Sequence, residues 1–183
     1  MGITSRRSVQ FTFYYQYILF NIVDNLVPTT ACAMDDNLLY CGFNNGHLIG
    51  FDLETGKQRD TINISLENSV QINQIRSHPT ENLLACAMDD KTLVLVDPRQ
   101  ENSVARMVAH TESVSSVTFH QNSCITGSHD GSVRIWDLSS KTCVQEFTAH
   151  RKKFDESVCN LDCIGDSLIS CGADALVKHF SLM

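Results

Sequence analysis

His129-Asp130-Gly131-Ser132-Val133-Arg134-Ile135-Trp136-Asp137 is the stretch that decides the fold, because the chain repeats its grammar elsewhere. Asn44-Asn45-Gly46-His47-Leu48-Ile49-Gly50-Phe51-Asp52 and Asp89-Asp90-Lys91-Thr92-Leu93-Val94-Leu95-Val96-Asp97 precede it. Ala173-Asp174-Ala175-Leu176-Val177-Lys178-His179-Phe180-Ser181 follows it. A turn-forming residue recurs at Asn45, Asp90, Asp130 and Asp174, in steps of 45, 40 and 44. The large apolar residue six positions later, at Phe51, Val96, Trp136 and Phe180, moves by the same steps. One match would carry little weight. Four in register set a period.

A period of this length ending in Trp-Asp is the signature of WD repeats. The local grammar within each period is that of strands. Ser113-Val114-Ser115-Ser116-Val117-Thr118-Phe119 puts Val117 and Phe119 on one face by alternation, and Cys124-Ile125-Thr126-Gly127-Ser128 is a short run bounded by turn residues. His129-Asp130-Gly131 supplies a tight turn, since Asp and Gly tolerate the positive φ that hairpins require. Cys143-Val144-Gln145-Glu146-Phe147-Thr148 reads as a fourth, outer strand. No segment carries helical spacing, which excludes an α-solenoid of the same period. The predicted fold is all-β: a partial WD40 β-propeller of about four blades, each a four-stranded antiparallel sheet. The last blade lacks its outer strand, because the chain reaches Met183 after three strand-like runs. Such an arc is expected to expose sticky edges. Residues 27–183 form this partial propeller, and residues 1–26 form a leader of uncertain structure.

In that leader, Arg6 and Arg7 precede an apolar stretch from Val9 to Val23 that is too short to span a bilayer. Gln10, Thr12, Gln16 and Asn21 interrupt it, so no integral membrane span is expected. Ala31-Cys32-Ala33 faintly resembles a signal-peptidase site, but Asn21, Asp24 and Asn25 spoil the segment before it.

Lys and Arg number 14 against 21 Asp and Glu, a formal net charge of −7, which repels a phosphate backbone and argues against a nucleic-acid partner. The one tight basic run, Arg151-Lys152-Lys153, is followed at once by Asp155 and Glu156. It reads first as a solvated loop, and secondly as a candidate partner contact. Eight cysteines contain no Cys-x-x-Cys pair and mostly sit in strand-like runs, where they read as small buried hydrophobes of a reducing, cytoplasmic compartment. Their spacing offers no zinc site. Gly42, Gly46 and Gly50 fall at strand ends and a turn with no following helix, so no nucleotide site is expected either. No cofactor is expected.

His110, Ser128 and Asp130, with Trp136 nearby, look like a hydrolase triad. A structural reading fits better. A histidine leading a blade's first strand bonds the Asp of the hairpin turn, and a hydroxyl on the second strand links it to the indole N–H. Ser128 or Thr126 can be that hydroxyl. Such a chain satisfies polar groups that would each cost roughly 1–3 kcal/mol if left unpaired. There is no Gly-x-Ser-x-Gly elbow to support a nucleophile. His150 and Asp174 frame the last unit in the same way, although Phe180 cannot donate, and the two earlier units lack the leading histidine.

Past Val27 the chain resembles the C-terminal WD-repeat domain of the striatin family. The resemblance rests on Ser140-Lys141-Thr142-Cys143-Val144-Gln145-Glu146-Phe147-Thr148-Ala149-His150-Arg151-Lys152-Lys153-Phe154-Asp155-Glu156-Ser157, on Gly127-Ser128-His129-Asp130, and on Gly172-Ala173-Asp174-Ala175-Leu176-Val177-Lys178. Ile72-Asn73-Gln74-Ile75-Arg76-Ser77-His78-Pro79-Thr80 agrees as well. These matches extend into loops, beyond the positions any WD repeat shares. The resemblance implies a non-catalytic scaffold. Striatins are regulatory subunits of protein phosphatase 2A that gather germinal-centre-type kinases and Mob-like adaptors into a STRIPAK-type assembly, with membrane association arising through partners. The family's coiled coil and its calmodulin- and caveolin-binding segments lie upstream and match nothing here. Calmodulin binding, oligomerisation and direct phosphatase docking therefore lack their usual segment. Cys159-Asn160-Leu161-Asp162-Cys163-Ile164-Gly165-Asp166 departs from the family by shortening a loop of the last blade. Two alternatives compete: a hydrolase with a His110, Ser128 and Asp130 site, and an incomplete chain that folds only with other propeller blades.

Overall fold

The computed structural model describes residues 28–33, 37–65, 70–100, 102–153 and 157–182; the leader, and residues 154–156 of the basic loop, lie outside them. Within that range all regular structure is strand. The first blade is β1 (Pro28–Ala33), β2 (Leu38–Phe43), β3 (His47–Asp52) and β4 (Gln58–Asn63). The second is β5 (Ile72–Ser77), β6 (Leu84–Met88), β7 (Thr92–Asp97) and β8 (Asn102–Val108). The third is β9 (Val114–His120), β10 (Ser123–Ser128), β11 (Ser132–Asp137) and β12 (Thr142–Thr148). The last holds β13 (Val158–Ile164), β14 (Ser167–Gly172) and β15 (Val177–Ser181). Strands pair in chain order as antiparallel meanders, giving three four-stranded sheets and one of three strands.

The recurring turn residue closes the same hairpin in every blade. Asn45, Asp90, Asp130 and Asp174 each accept the backbone N–H two residues on, at 3.2, 3.2, 2.9 and 3.1 Å. The residue between is left-handed every time: φ is 79° at Gly46, 72° at Lys91, 89° at Gly131 and 63° at Ala175. The Asp of the Trp-Asp pair has its own task at the far end of the third strand. Asp52 Oδ1 accepts Glu54 N at 2.9 Å, Asp97 Oδ1 accepts Arg99 N at 3.0 Å, and Asp137 Oδ2 accepts Ser140 N at 2.8 Å. Each fixes the turn into the outer strand.

Blades pack face to face with their first strands side by side: β1 beside β5, β5 beside β9, β9 beside β13. Alternation sends one set of residues to each neighbour. Tyr40 and Leu48 of the first blade meet Ile72, Ile75 and Leu84 of the second. Ala85 and Leu93 meet Val114, Val117 and Cys124, and Ile125 and Val133 meet Val158, Leu161 and Leu168. First strands are also tied by side chains. Thr29 Oγ1 donates to Ile72 O at 2.5 Å, Asn73 Nδ2 to Val114 O at 2.8 Å, and Ser115 Oγ to Val158 O at 2.5 Å. Gln74 takes Val117 N at 2.7 Å and reaches Asn160 of the last blade at 3.1 Å.

Two expectations need correction. The outward flank of the last blade is exposed, but the opposite flank of the first blade is not: Leu39, Cys41, Phe43, Ile49 and Phe51 form a buried cluster. The cysteines also divide. Cys86 and Cys124 are buried between blades and Cys41 in the first blade's own flank cluster, where burial pushes its thiol up to about 12. Cys143 and Cys159 are exposed and Cys163 and Cys171 half-exposed, because they sit on the outer strand β12 or on the last blade.

Candidate functional site

The polar residues singled out in the third blade converge on His110, whose side chain is fully buried between β9's leading turn and β10. Its Nδ1 lies 3.1 Å from Asp130 Oδ2 and 3.1 Å from Ser132 Oγ. Its Nε2 lies 2.7 Å from Thr126 Oγ1, and that oxygen accepts the Trp136 indole N–H at 3.0 Å. Of the two hydroxyls left open by the sequence, Thr126 stands between histidine and indole. Ser128 does not. Its hydroxyl donates to Glu112 O at 3.2 Å and accepts Asp130 N at 3.1 Å, so it braces the turn beside the network. Residues at positions 126 and 128 do share a strand face, but a bulge between Gly127 and Ser128 turns Ser128 away. Burial works to raise the Asp130 carboxyl, but the His110 and Ser132 hydrogen bonds outweigh it and hold the group well below the usual carboxylate range.

The last blade keeps the frame with different ends. His150 Nδ1 meets Asp174 Oδ1 at 2.8 Å and Nε2 meets Ser170 Oγ at 2.8 Å, while Phe180 packs on Phe147 in place of the indole. The second blade builds its junction without a histidine. Arg106 Nη1 donates to Asp90 Oδ2 at 2.9 Å and to Thr92 Oγ1 at 2.8 Å, and Nη2 donates to Ile64 O. Sequence reasoning missed this pair. The signal was a cation on the outer strand, directly opposite Val94. The third-strand position of Val94 holds Arg134 and Lys178 in later blades, and these bond the carbonyls of Ala109 and Ala149. In the second, third and last blades one cation thus pins the carbonyl of the residue that leads into the blade, whereas the first blade has Gly50 and Asp60 at these positions.

The basic loop emerges on the rim beside these junctions. Arg151, Lys152 and Lys153 are exposed. Arg151 N donates to Asp174 Oδ2 at 3.2 Å, and Lys152 Nζ pairs with Glu112 at 2.6 Å across the boundary between the last two blades. Among the described residues no group of His, Cys, Asp and Glu could hold a metal ion. Among them, too, no helix is long and apolar enough to cross a membrane.

For hydrolysis a hydroxyl must face both the histidine and a substrate. Thr126 faces the histidine but is fully buried, and Ser128 is fully buried and bonded elsewhere. What the arrangement does is lock the turn, the second strand and the third strand of one blade together.

Solved structures share this architecture. The chain superposes on U3-55K with a TM-score of 0.78 at 18% identity, covering 88% of this chain and 50% of that one. On the computationally designed Ika4 protein the TM-score is 0.73 at 16% identity, covering 88% and 94%. At that identity the likeness is one of fold. Sequence similarity is closer to the striatins, as the loop motifs imply. Striatin-3 of Rattus norvegicus is 37% identical over 164 residues, covering 84% of this chain and 21% of the relative. Striatin-4 of Mus musculus is 41% identical over 161 residues, again covering 84% and 21%. Striatin of Homo sapiens is 37% identical over 156 residues, covering 81% and 20%. The chain therefore spans about a fifth of the length of these relatives. A family model for a β-propeller matches residues 18–179, nearly the whole chain, and by that match the chain belongs to the nucleolar protein 10-like, N-terminal domain family.

Proposed function

We propose that the chain is a non-catalytic scaffold surface for other proteins, used as the resemblance to striatins implies. Its partners are protein phosphatase 2A, germinal-centre-type kinases and Mob-like adaptors, gathered in the cytoplasm into a STRIPAK-type assembly. The observation that carries the reading is the occupation of the triad-like clusters around His110 and, in the last blade, around His150 with Asp174 and buried Ser170. Both ring nitrogens of His110 are engaged inside the blade, and its two hydroxyl partners, Thr126 and Ser132, are buried. Polar groups spent this way build a rigid frame, and binding is then left to the rim, where a few residues carry most of the energy. Arg151, Lys152 and Lys153 are the contacts offered, with the turns at Asp90, Asp130 and Asp174 beside them.

The test is affinity capture with the full chain, comparing the native form with an Arg151→Glu, Lys153→Glu double variant. Loss of phosphatase, kinase or Mob-like partners from the variant, with an unchanged melting curve, is expected. Capture of none of these by the native chain would sink the assignment of partners. In parallel, a serine-directed fluorophosphonate probe is expected to leave the chain unlabelled, and labelling abolished by Ser128→Ala would overturn the non-catalytic reading.

A further inference from the structure

Each blade opens its first strand on the same irregularity, a bulge that inserts one extra residue: Thr29, Asn73, Ser115 or Cys159. A bulge sets two residues of one strand against one of its neighbour. The residue facing it on the second strand is Gly42, Ala87, Gly127 or Cys171, each paired with the residue just after the extra one. Three blades combine a polar side chain at the first position with nothing larger than a methyl at the second. The last blade has cysteine at both.

The other blades show where these two side chains point. Thr29 Oγ1 lies 3.0 Å from Gly42 O, and Ser115 Oγ 3.1 Å from Gly127 O, so the extra residue reaches over the backbone of the residue facing it. Ser115 Oγ also donates to Val158 O of the next blade, and a Cβ at Gly127 would meet the Val158 and Leu161 side chains. Both positions therefore look to the same flank. In the last blade Cys159 is exposed there and Cys171 half-exposed. Cys171 Sγ lies 3.7 Å from the carbonyl oxygen of Asn160, beside Cys159. Cys159 Sγ rests 3.9 Å from Ser157 O, one turn about χ1 from the direction that Thr29 and Ser115 take. A disulfide needs Cα atoms about 4.4–6.8 Å apart, and residues facing each other across an antiparallel pair stand about 4.5–5.5 Å apart. We propose that Cys159 and Cys171 are a redox pair, a thiol–disulfide modification site closed by a low-molecular-weight disulfide of the glutathione type. The site stands apart from the rim contacts and does not depend on the scaffold reading.

Closure takes two exchange steps. The Cys159 thiolate attacks one sulfur of oxidised glutathione, forms a mixed disulfide and expels a glutathione thiolate. The Cys171 thiolate then attacks the Cys159 sulfur and expels the second glutathione. Two protein thiols lose two electrons and two protons, and one glutathione disulfide becomes two glutathione thiols. An excess of reduced glutathione runs both steps backwards. Because the second step is intramolecular, it outcompetes a second mixed disulfide. Among the described residues the other accessible cysteines lack such a neighbour. Cys143 faces Trp136, and Cys163 faces Leu168, three residues along β14 from Cys171 and so roughly 10 Å away, beyond disulfide reach. Cys41, Cys86 and Cys124 are buried. Once closed, the bond braces the bulge that the first and third blades brace with the hydroxyls of Thr29 and Ser115.

The test equilibrates the full chain at fixed reduced glutathione with rising oxidised glutathione, quenches with acid, alkylates with iodoacetamide and maps the cysteines by mass spectrometry. The exposed Cys143 of β12 is the internal reference. A peptide linking Cys159 to Cys171, two hydrogens lighter than its parts, is expected. It should be half-formed at a level of oxidised glutathione at least about tenfold below the level that half-modifies Cys143. Cys171→Ser is expected to remove the link and leave Cys159 holding glutathione, whereas Cys163→Ser leaves the link intact. Glutathione on Cys159 of the native chain with no link overturns the proposal, as does a link that takes in Cys163. So does a link between two chains, seen as a dimer on a non-reducing gel, or no change at either cysteine across the range that modifies Cys143. The native chain alone supplies each of these four results, so a variant that fails to fold leaves the test standing.

Discussion

At the residue scale the decisive position is Thr126, which serves His110 and Trp136 with one oxygen. Replacing it by Val keeps the shape and leaves both ring N–H and ring N without a partner in a dry site. Thr126→Val is expected to cost about 2–4 kcal/mol in urea unfolding and to shift Trp136 emission, whereas Ser128→Ala costs about 1 kcal/mol and leaves the emission alone. The leading histidine, the Asp and the Trp were legible from the repeat. Which hydroxyl joined them was not, because strand alternation treats both alike and only the bulge after Gly127 separates them. Asp130 gives the junction a pH signature. Its folded carboxyl titrates below its unfolded value, so its contribution is present above about pH 4 and is lost as pH falls toward the folded value. Asp130→Asn is expected to flatten the decline of the melting temperature between about pH 5 and pH 2, relative to the native chain.

At the scale of the strand and hairpin, the left-handed turn position separates blades that look alike. Gly46 and Gly131 occupy it without strain, whereas Lys91 and Ala175 carry a Cβ there. Lys91→Gly is expected to raise stability by about 0.5–1 kcal/mol, the relief of a side chain in that region less the backbone freedom glycine regains on unfolding. Gly172 on β14 behaves in the opposite sense. A Cβ there would stand 2.3 Å from the ring of His150. Gly172→Ala is expected to cost about 2–4 kcal/mol and to slow no exchange elsewhere, read by chemical denaturation. Hairpin positions were readable from Asn, Asp and Gly placement. The Arg106 junction was not, since a cation on the fourth strand does the work that third-strand Arg134 and Lys178 do later, and a linear repeat does not show adjacent strands exchanging roles.

Over the whole molecule, burial falls from the middle toward the end. Strands β6 and β7 are buried at every position, while β15 alternates exposed and half-buried. Hydrogen exchange is therefore expected to be slowest in the second blade and fastest in β14 and β15, by two or more orders of magnitude; uniform rates would mean the blades open as one unit. The period of the sequence determined how many blades to expect and what each contains. It could not show the curvature that brings Gln74 to Asn160, two blades away, because a repeat fixes positions inside a unit and leaves the angle between units open. The ties from Thr29, Asn73 and Ser115 have one more consequence. They run from side chain to backbone between neighbouring first strands, in parallel with the apolar seams, so a load along the chain meets a latch before any seam is sheared. Pulled from its ends, the molecule would ratchet apart blade by blade, each release paying out roughly 14–16 nm of slack, the extended length of one repeat.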